Sequence, residues 1–257
     1  MKKINFFNKI YISLIRPKEY YKLLKESLGR AFQYIIFLTL ITGFISFITP
    51  TMDFLNFINL VEDELNNGFP EFNLQNGILD VKEKEPIVIK KKNKPIIIID
   101  TSGGTTKEKL DEYKQCILIL QDKLYYKKSN INIDEATYDF LNGLNLNKER
   151  TRELLPELKL GAYIIEFVTP FLMIFLNLFL AFVISLATSL MNALLRWPLR
   201  YRSVYKMSIY ATTASVILGA VLRFINISLM YTNYIYIIIG CIYVFTAFKG
   251  VVNSIED

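Results

Sequence analysis

The run Ile96-Ile97-Ile98-Ile99-Asp100-Thr101-Ser102-Gly103-Gly104 ends an apolar strand on a carboxylate, then supplies two hydroxyls and two glycines. Hydrolysis by such a carboxylate needs a second one facing it across a water, with one proton shared between them. The pattern occurs once in 257 residues, so an aspartic hydrolase built on Asp100 requires two chains. A milder chemistry is binding: amides and hydroxyls of Asp100, Thr101, Ser102 and Gly103 at a strand end would take a sugar hydroxyl or a small anion. The competing reading is a turn. There Asp100, Thr101 and Ser102 satisfy nearby amides, both glycines supply positive φ, and Thr105 caps the following helix.

Two further ionisable residues stand out because they lie within long apolar stretches, Glu166 and Arg223. A charge at the bilayer centre costs about 2.5–3.5 kcal/mol on insertion scales. The second stretch enters from outside and the third exits outward, so Glu166 and Arg223 both fall near the outer side, and equal depth predicts an ion pair; separate snorkelling to the headgroups is the alternative. Pro170, one turn beyond Glu166, is expected to kink its helix. Arg196, Arg200, Arg202 and Lys206, interleaved with Trp197, Tyr201 and Tyr205, form a basic anchor in an interfacial aromatic belt. The chain has no His, which excludes His-dependent catalysis and the usual zinc sites. Cys116 and Cys241 fall in different compartments, so neither a disulfide nor a metal cluster is expected, and no cofactor.

The elements that must position these residues are set by hydropathy. Apolar blocks cover Ala31–Thr49, Gly161–Leu195, Val204–Met230 and Tyr234–Val251, each able to supply the roughly 20 residues that cross about 30 Å of hydrocarbon. Residues 1–30 carry eight Lys/Arg against two Asp/Glu, and 196–206 carries four basic residues and no acid. Residues 51–160 carry 16 basic and 19 acidic residues, a net of −3. Basic loops stay cytoplasmic. The chain therefore reads as an α-helical integral membrane protein of four transmembrane helices, at 29–50, 161–195, 207–230 and 231–251. Between the first two, an extracytoplasmic α+β domain occupies 51–160. Residues 1–28, the basic loop 196–206 and the tail 252–257 are cytoplasmic. The overall charge of +6 is explained by membrane orientation and anionic lipid, without nucleic acid.

The first 30 residues do not read as a signal peptide, because some 30 residues precede the apolar block and Ile48-Thr49-Pro50 is a poor cleavage site. Ile4, Phe7, Ile10, Tyr11, Leu14 and Ile15 recur at helical spacing, and Pro17 opens a second short helix with Tyr20, Tyr21, Leu24 and Leu28. These interfacial amphipathic helices either lie in the headgroup layer or pack against the ends of the spans. In the extracytoplasmic segment, Phe54, Ile58, Val61 and Leu65 carry the first helix onward to Asn66-Asn67-Gly68. Asn76-Gly77 marks a hairpin between Phe72–Leu74 and Ile78–Val81. A second hairpin joins Ile87–Lys91 to Pro95–Asp100, with Lys90-Lys91-Lys92-Asn93-Lys94 at its solvated tip. A third joins Cys116–Leu120 to Leu124–Lys128. Thr105-Thr106-Lys107-Glu108 reads as a capping box opening a helix to Lys114. Ile133–Leu141 and Lys148–Leu158 read as helices. The sheet is expected to be mostly antiparallel.

Residues 4–47, INFFNKIYISLIRPKEYYKLLKESLGRAFQYIIFLTLITGFISF, are similar to the opening of a bacterial multi-pass membrane family known as domain of unknown function 1189. The shared pattern is a basic aromatic start, a Pro followed by paired Tyr, and Leu-Gly-Arg-Ala leading into the first span. The stretches PIIIIDTSG and RYRSVYKMSIYA also resemble family features. Some members are named maltodextrin-utilisation proteins, so the resemblance implies a link to carbohydrate uptake and supplies no catalytic residues. A more distant likeness to the Yip1 group implies membrane organisation. The Asp-Thr-Ser-Gly sequence is one residue longer than the Asp-Thr/Ser-Gly of the retroviral-type aspartic proteases it resembles.

These readings lead to a non-enzymatic membrane accessory or regulatory protein whose extracytoplasmic domain senses or docks a ligand or partner. The expected partners are the lipid bilayer and other membrane proteins or further copies of the chain. The alternatives are a component of a transport system and an oligomeric aspartic hydrolase using Asp100.

Overall fold

A computed structural model describes residues 4–83, 86–90, 95–130, 132–197, 199–225, 227 and 231–256. The chain divides into two compact units, one formed by Met1–Leu55 with Gly161–Asp257 and one by Asn56–Leu160. Among the described residues, four helices are long and apolar enough to cross a membrane: α3 (Leu28–Asn66), α4 (Lys148–Leu194), α5 (Tyr201–Phe224) and the Thr232–Val252 part of α6 (Thr232–Glu256).

In the helical unit the chain opens with α1 (Phe6–Ile15), whose first turn is closed by the Asn5 side chain accepting from the Asn8 amide at 2.7 Å. Pro17 starts the 3-10 turn Pro17–Glu19, where its missing N–H costs nothing, and α2 (Tyr20–Leu24) follows. One face of this segment is core: Ile12, Tyr20 and Leu23 join Tyr34, Ile35, Met207, Tyr210 and Phe248 in one buried cluster. The opposite face of α1 leaves Phe7, Tyr11 and Ile15 exposed, spaced by four residues. Of the long helices α5 is the most enclosed and α4 the least, with 61% and 17% of their most apolar windows buried. Helix α5 is thus the centre of this unit. Helix α4 ends with Arg196 in the left-handed region (φ 54°). Its amide reaches the Ala193 carbonyl at 3.2 Å, and the Trp197 amide reaches that of Asn192 at 3.0 Å. This reciprocal pair satisfies carbonyls that a helix end leaves open.

The α+β unit contains the last turns of α3, two sheets and the first turns of α4. Strands β1 (Phe72–Gln75) and β2 (Ile78–Val81) form the Asn76-Gly77 hairpin, with φ of 53° and 74° at the two turn residues. Gly77 is required twice over, since a Cβ there would also stand 2.8 Å from Asn142 Oδ1. Strand β8 (Asn145–Asn147) completes this sheet in the order β2-β1-β8. The second sheet has the order β3-β4-β5-β6-β7, with β3 (Ile87–Ile89), β4 (Ile96–Asp100), β5 (Cys116–Leu120), β6 (Lys123–Ser129) and β7 (Asn132–Thr137). The 91–94 tip of the second hairpin lies outside the described residues.

Two local expectations are corrected, and one strand pair departs from the antiparallel majority. Residues 133–141 are not a helix; β7 takes their first half and pairs antiparallel with β6. The open edge of β6 offers a ladder of backbone hydrogen bonds, which outweighs weak local propensity. The capping box does not form: Thr106 precedes a 3-10 helix (Lys107–Glu112) without capping it, and its hydroxyl bonds the Glu108 carboxylate instead. Finally, β4 and β5 run parallel, Ile96 opposite Cys116 through Asp100 opposite Leu120. A parallel pair needs a long crossover, and residues 101–115 are that crossover.

Candidate functional site

The crossover explains the Asp100 motif. Strands β4 and β5 are buried on both faces, as their unbroken apolar runs require: Ile97, Ile99 and Ile117 face one cluster, and Ile98, Cys116 and Leu118 face another closed by Leu110 of the crossover. Asp100 ends β4 at 2% exposure. Its Oδ1 accepts the Ser102 amide at 3.0 Å and the Ser102 hydroxyl at 2.5 Å, while Oδ2 accepts the Thr105 hydroxyl. Ser102 Oγ in turn accepts the Gly104 amide at 3.3 Å. Gly103 alone takes positive φ, 82°, so the expectation for Gly104 fails, and Thr105 is engaged with Asp100 rather than with a helix end. The carboxylate is committed to holding its own loop closed, the geometry of a turn. At the other end of the strand pair, where Cys116 stands opposite Ile96, burial pushes its thiol up to about 11, which leaves it protonated and unreactive at neutral pH.

A smaller, apolar opening in this unit lies elsewhere. Where the end of α3 crosses the β4-β5-β6 face, the two surfaces do not close on each other. They leave a cavity of about 130 Å³. Phe57, Leu60 and Val61 of α3 form one wall; Ile97, Ile117 and Ile119 of the sheet form the other. Phe69 and Phe72 stand at one end, edge to face at 5.7 Å. The lining is hydrocarbon apart from Glu64 and Thr151. Basic side chains from the start of α4 hold α3 in place around it. Arg152 donates to the Leu65 carbonyl, Lys148 to that of Phe69 at 2.6 Å, and Lys159 to the Glu62 carboxylate at 2.5 Å. Cations on the last carbonyls of a helix also oppose its dipole. Phe69 itself is set by the end of α3, where Gly68 (φ 104°) reverses the chain and the Phe69 amide returns to the Glu64 carbonyl at 3.0 Å.

In the helical unit the expected ion pair is absent. Arg223 Nε donates to Ser46 Oγ at 3.4 Å and the guanidinium stands 5.9 Å from the Phe47 ring, whereas Glu166 makes no bridge to it among the described residues. Equal depth along two helices does not fix which faces meet. Pro170 is buried against Gly43 of α3, where a Cβ would come within 2.9 Å of the proline ring. Helix α4 continues through Pro170, and the ring makes a close helix-to-helix contact. Arg196, Arg200 and Arg202 are exposed, as an anchor requires. Lys206 is not: it is 8% exposed, and its ammonium donates to the carbonyls of Leu24 at 2.5 Å and Glu26 at 2.9 Å. It ties α2 to α5. The Glu26 carboxylate beside it binds Lys9 at 2.5 Å, both nearly buried. Sequence spacing had no means of linking Lys9, Glu26 and Lys206 across 197 positions of chain (206 − 9).

A family model described as a protein of unknown function, DUF1189, matches residues 7–248. The chain belongs to this family. No curated protein and no solved structure matches it. The DUF1189 match runs from α1 into α6, so it spans both units and takes in the cavity, the Asp100 loop and the Lys206 tie. The signal that might have found the cavity was the apolar stripe of α3 beyond Pro50, which the sequence shows but whose covering it cannot.

Proposed function

We propose that this chain is a non-enzymatic, multi-pass membrane accessory or regulatory protein of the cell membrane. Its N- and C-termini are cytoplasmic, and its α+β unit is extracytoplasmic, where it senses or docks a ligand or partner. Four helices of spanning length support insertion, and the Lys/Arg distribution supports the orientation. The observation that carries the sensing role is the cavity left open inside the α+β unit. Native interiors rarely leave spaces much larger than a water, and a void of this volume costs about 3 kcal/mol. The commitment of Asp100 to its own loop weighs against hydrolase chemistry. A link to carbohydrate uptake, if it operates, runs through docking to another membrane protein, because the cavity offers almost no partners for sugar hydroxyls.

Photo-crosslinking residues at the exposed positions Ile78, Val88 and Phe140 test this reading in intact cells. The expected result is one recurrent protein adduct from these positions and only lipid adducts from Phe175 of α4. Adducts to lipid alone at every position overturn docking, and solute flux by the purified chain in proteoliposomes makes it a transporter instead. An Asp111→Cys variant should react with an impermeant thiol reagent from outside, and a Ser203→Cys variant should not; the reverse inverts the topology.

A further inference from the structure

We infer that the cavity between α3 and the β4-β5-β6 face is a binding site for a small, uncharged apolar molecule of benzene-like size. The inference rests on the sensing role proposed for this unit and names the ligand class. Volume sets the scale: an apolar cavity of roughly 150 Å³ stays dry and takes up benzene or xenon, and this one is about 130 Å³. Lining sets the class. Isoleucine, leucine and phenylalanine side chains surround the space, so a charged or many-hydroxyl guest would lose its water without regaining hydrogen bonds. Shape favours a ring. Phe69 and Phe72 already meet edge to face, and aromatic pairs prefer such offset or edge geometries at centroid distances of about 4.5–7 Å. Access is present as well, because Phe57, Leu60, Val61 and Phe69 on the walls are only half-buried.

The walls also resist collapse. Strands β4 and β5 are fixed from behind by the Ile98, Cys116 and Leu118 cluster. The end of α3 is held by Arg152 on its Leu65 carbonyl and by Lys159 on Glu62, and Lys148 holds the Phe69 carbonyl just beyond it. Neither wall can approach the other without breaking buried packing or charge-assisted bonds. A guest is the remaining way to fill the space.

The test uses the full chain in lipid nanodiscs with isoleucine δ1 methyls labelled, and benzene as the probe. The expected result is a saturable shift of the Ile97, Ile117 and Ile119 methyls, while lipid-facing Ile164 and Ile238 drift linearly with benzene partition. Leu60→Trp, which occupies the space, should weaken the saturable response at least tenfold and raise the melting temperature. If Leu60→Trp does not fold, Val61→Phe carries the same arm. Linear drift of all five methyls would show partition only and overturn the site. A saturable response to glucose at the three cavity methyls would overturn the apolar class. Failure here leaves the crosslinking result untouched, since docking through the unit's outer surface does not need the cavity.

Discussion

The two units handle close packing in opposite ways. In the helical unit glycine lets helices touch backbone or ring directly. A Cβ at Gly250 would lie 2.0 Å from the Lys18 carbonyl oxygen, one at Gly240 2.2 Å from Ile184, and one at Gly219 2.7 Å from the Tyr236 hydroxyl. In the α+β unit the same kind of long helix meets a sheet through Phe57, Leu60 and Val61 and leaves a cavity. Small residues close an interface; large ones between a helix and a sheet hold it apart. The first unit therefore has nowhere to put added volume, and the second has a place reserved for it. The polar groups divide similarly. Lys206 and Tyr243 reach across the helical unit to carbonyls of α1 and α2, whereas Asp100 bonds within its own five-residue loop.

The largest effect should come from Gly250→Leu. The obstacle is backbone, so α6 and the Pro17–Glu19 turn must separate, and overpacking of this kind costs about 3 kcal/mol or more. Folded yield and thermal stability in detergent should both fall steeply. A mild effect would show that α6 and the N-terminal segment are loosely held, and the contrast between the units would fail. Added bulk at Leu60 should be tolerated by comparison.

Asp100→Ala comes next. It removes three accepted hydrogen bonds from a carboxylate with 2% exposure, and a loss of about 3 kcal/mol is expected from urea titration of the full chain. Unchanged stability would mean that the loop closes without the carboxylate and would return Asp100 to the list of ligand groups.

Lys206→Met should cost somewhat less, about 2 kcal/mol. Two charge-assisted bonds are lost, but a buried charge is removed with them. Limited proteolysis should then cut more readily within residues 5–26. No change in cleavage would show that the bond from the Tyr243 hydroxyl to the Leu14 carbonyl, with the apolar packing, suffices to hold the segment.

The smallest effect concerns Glu166 and Arg223. As they do not pair, Glu166→Gln and Arg223→Gln should add in thermal stability to within about 0.5 kcal/mol. A larger coupling in a double-mutant cycle would bring the ion pair back.

The local features were legible from residues alone because neighbours in sequence decide them. Asn76-Gly77 takes positive φ at both positions, so its hairpin and register follow. Helix α3 continues to Asn66 because Phe54, Ile58, Val61 and Leu65 keep one face apolar and Gly68 supplies the left-handed stop. The Asp100 run could be read as a turn for the same reason, although which hydroxyls it binds could not. Strand β7 was missed because its stability comes from β6, and its own residues have no strong preference. The parallel β4-β5 pair was missed because its partners are separated by a crossover whose path local patterns do not encode.

Hydropathy, charge asymmetry and turn chemistry thus determined four membrane-length helices and an interposed α+β unit, because each is a sum over residues close in the chain. Tertiary structure alone decided that Glu166 and Arg223 do not bridge, that Lys206 leaves the surface to hold α2, and that α3 and its sheet enclose a space. Those outcomes depend on which faces meet, and two faces meet only when the free energy of packing the whole unit selects their rotation.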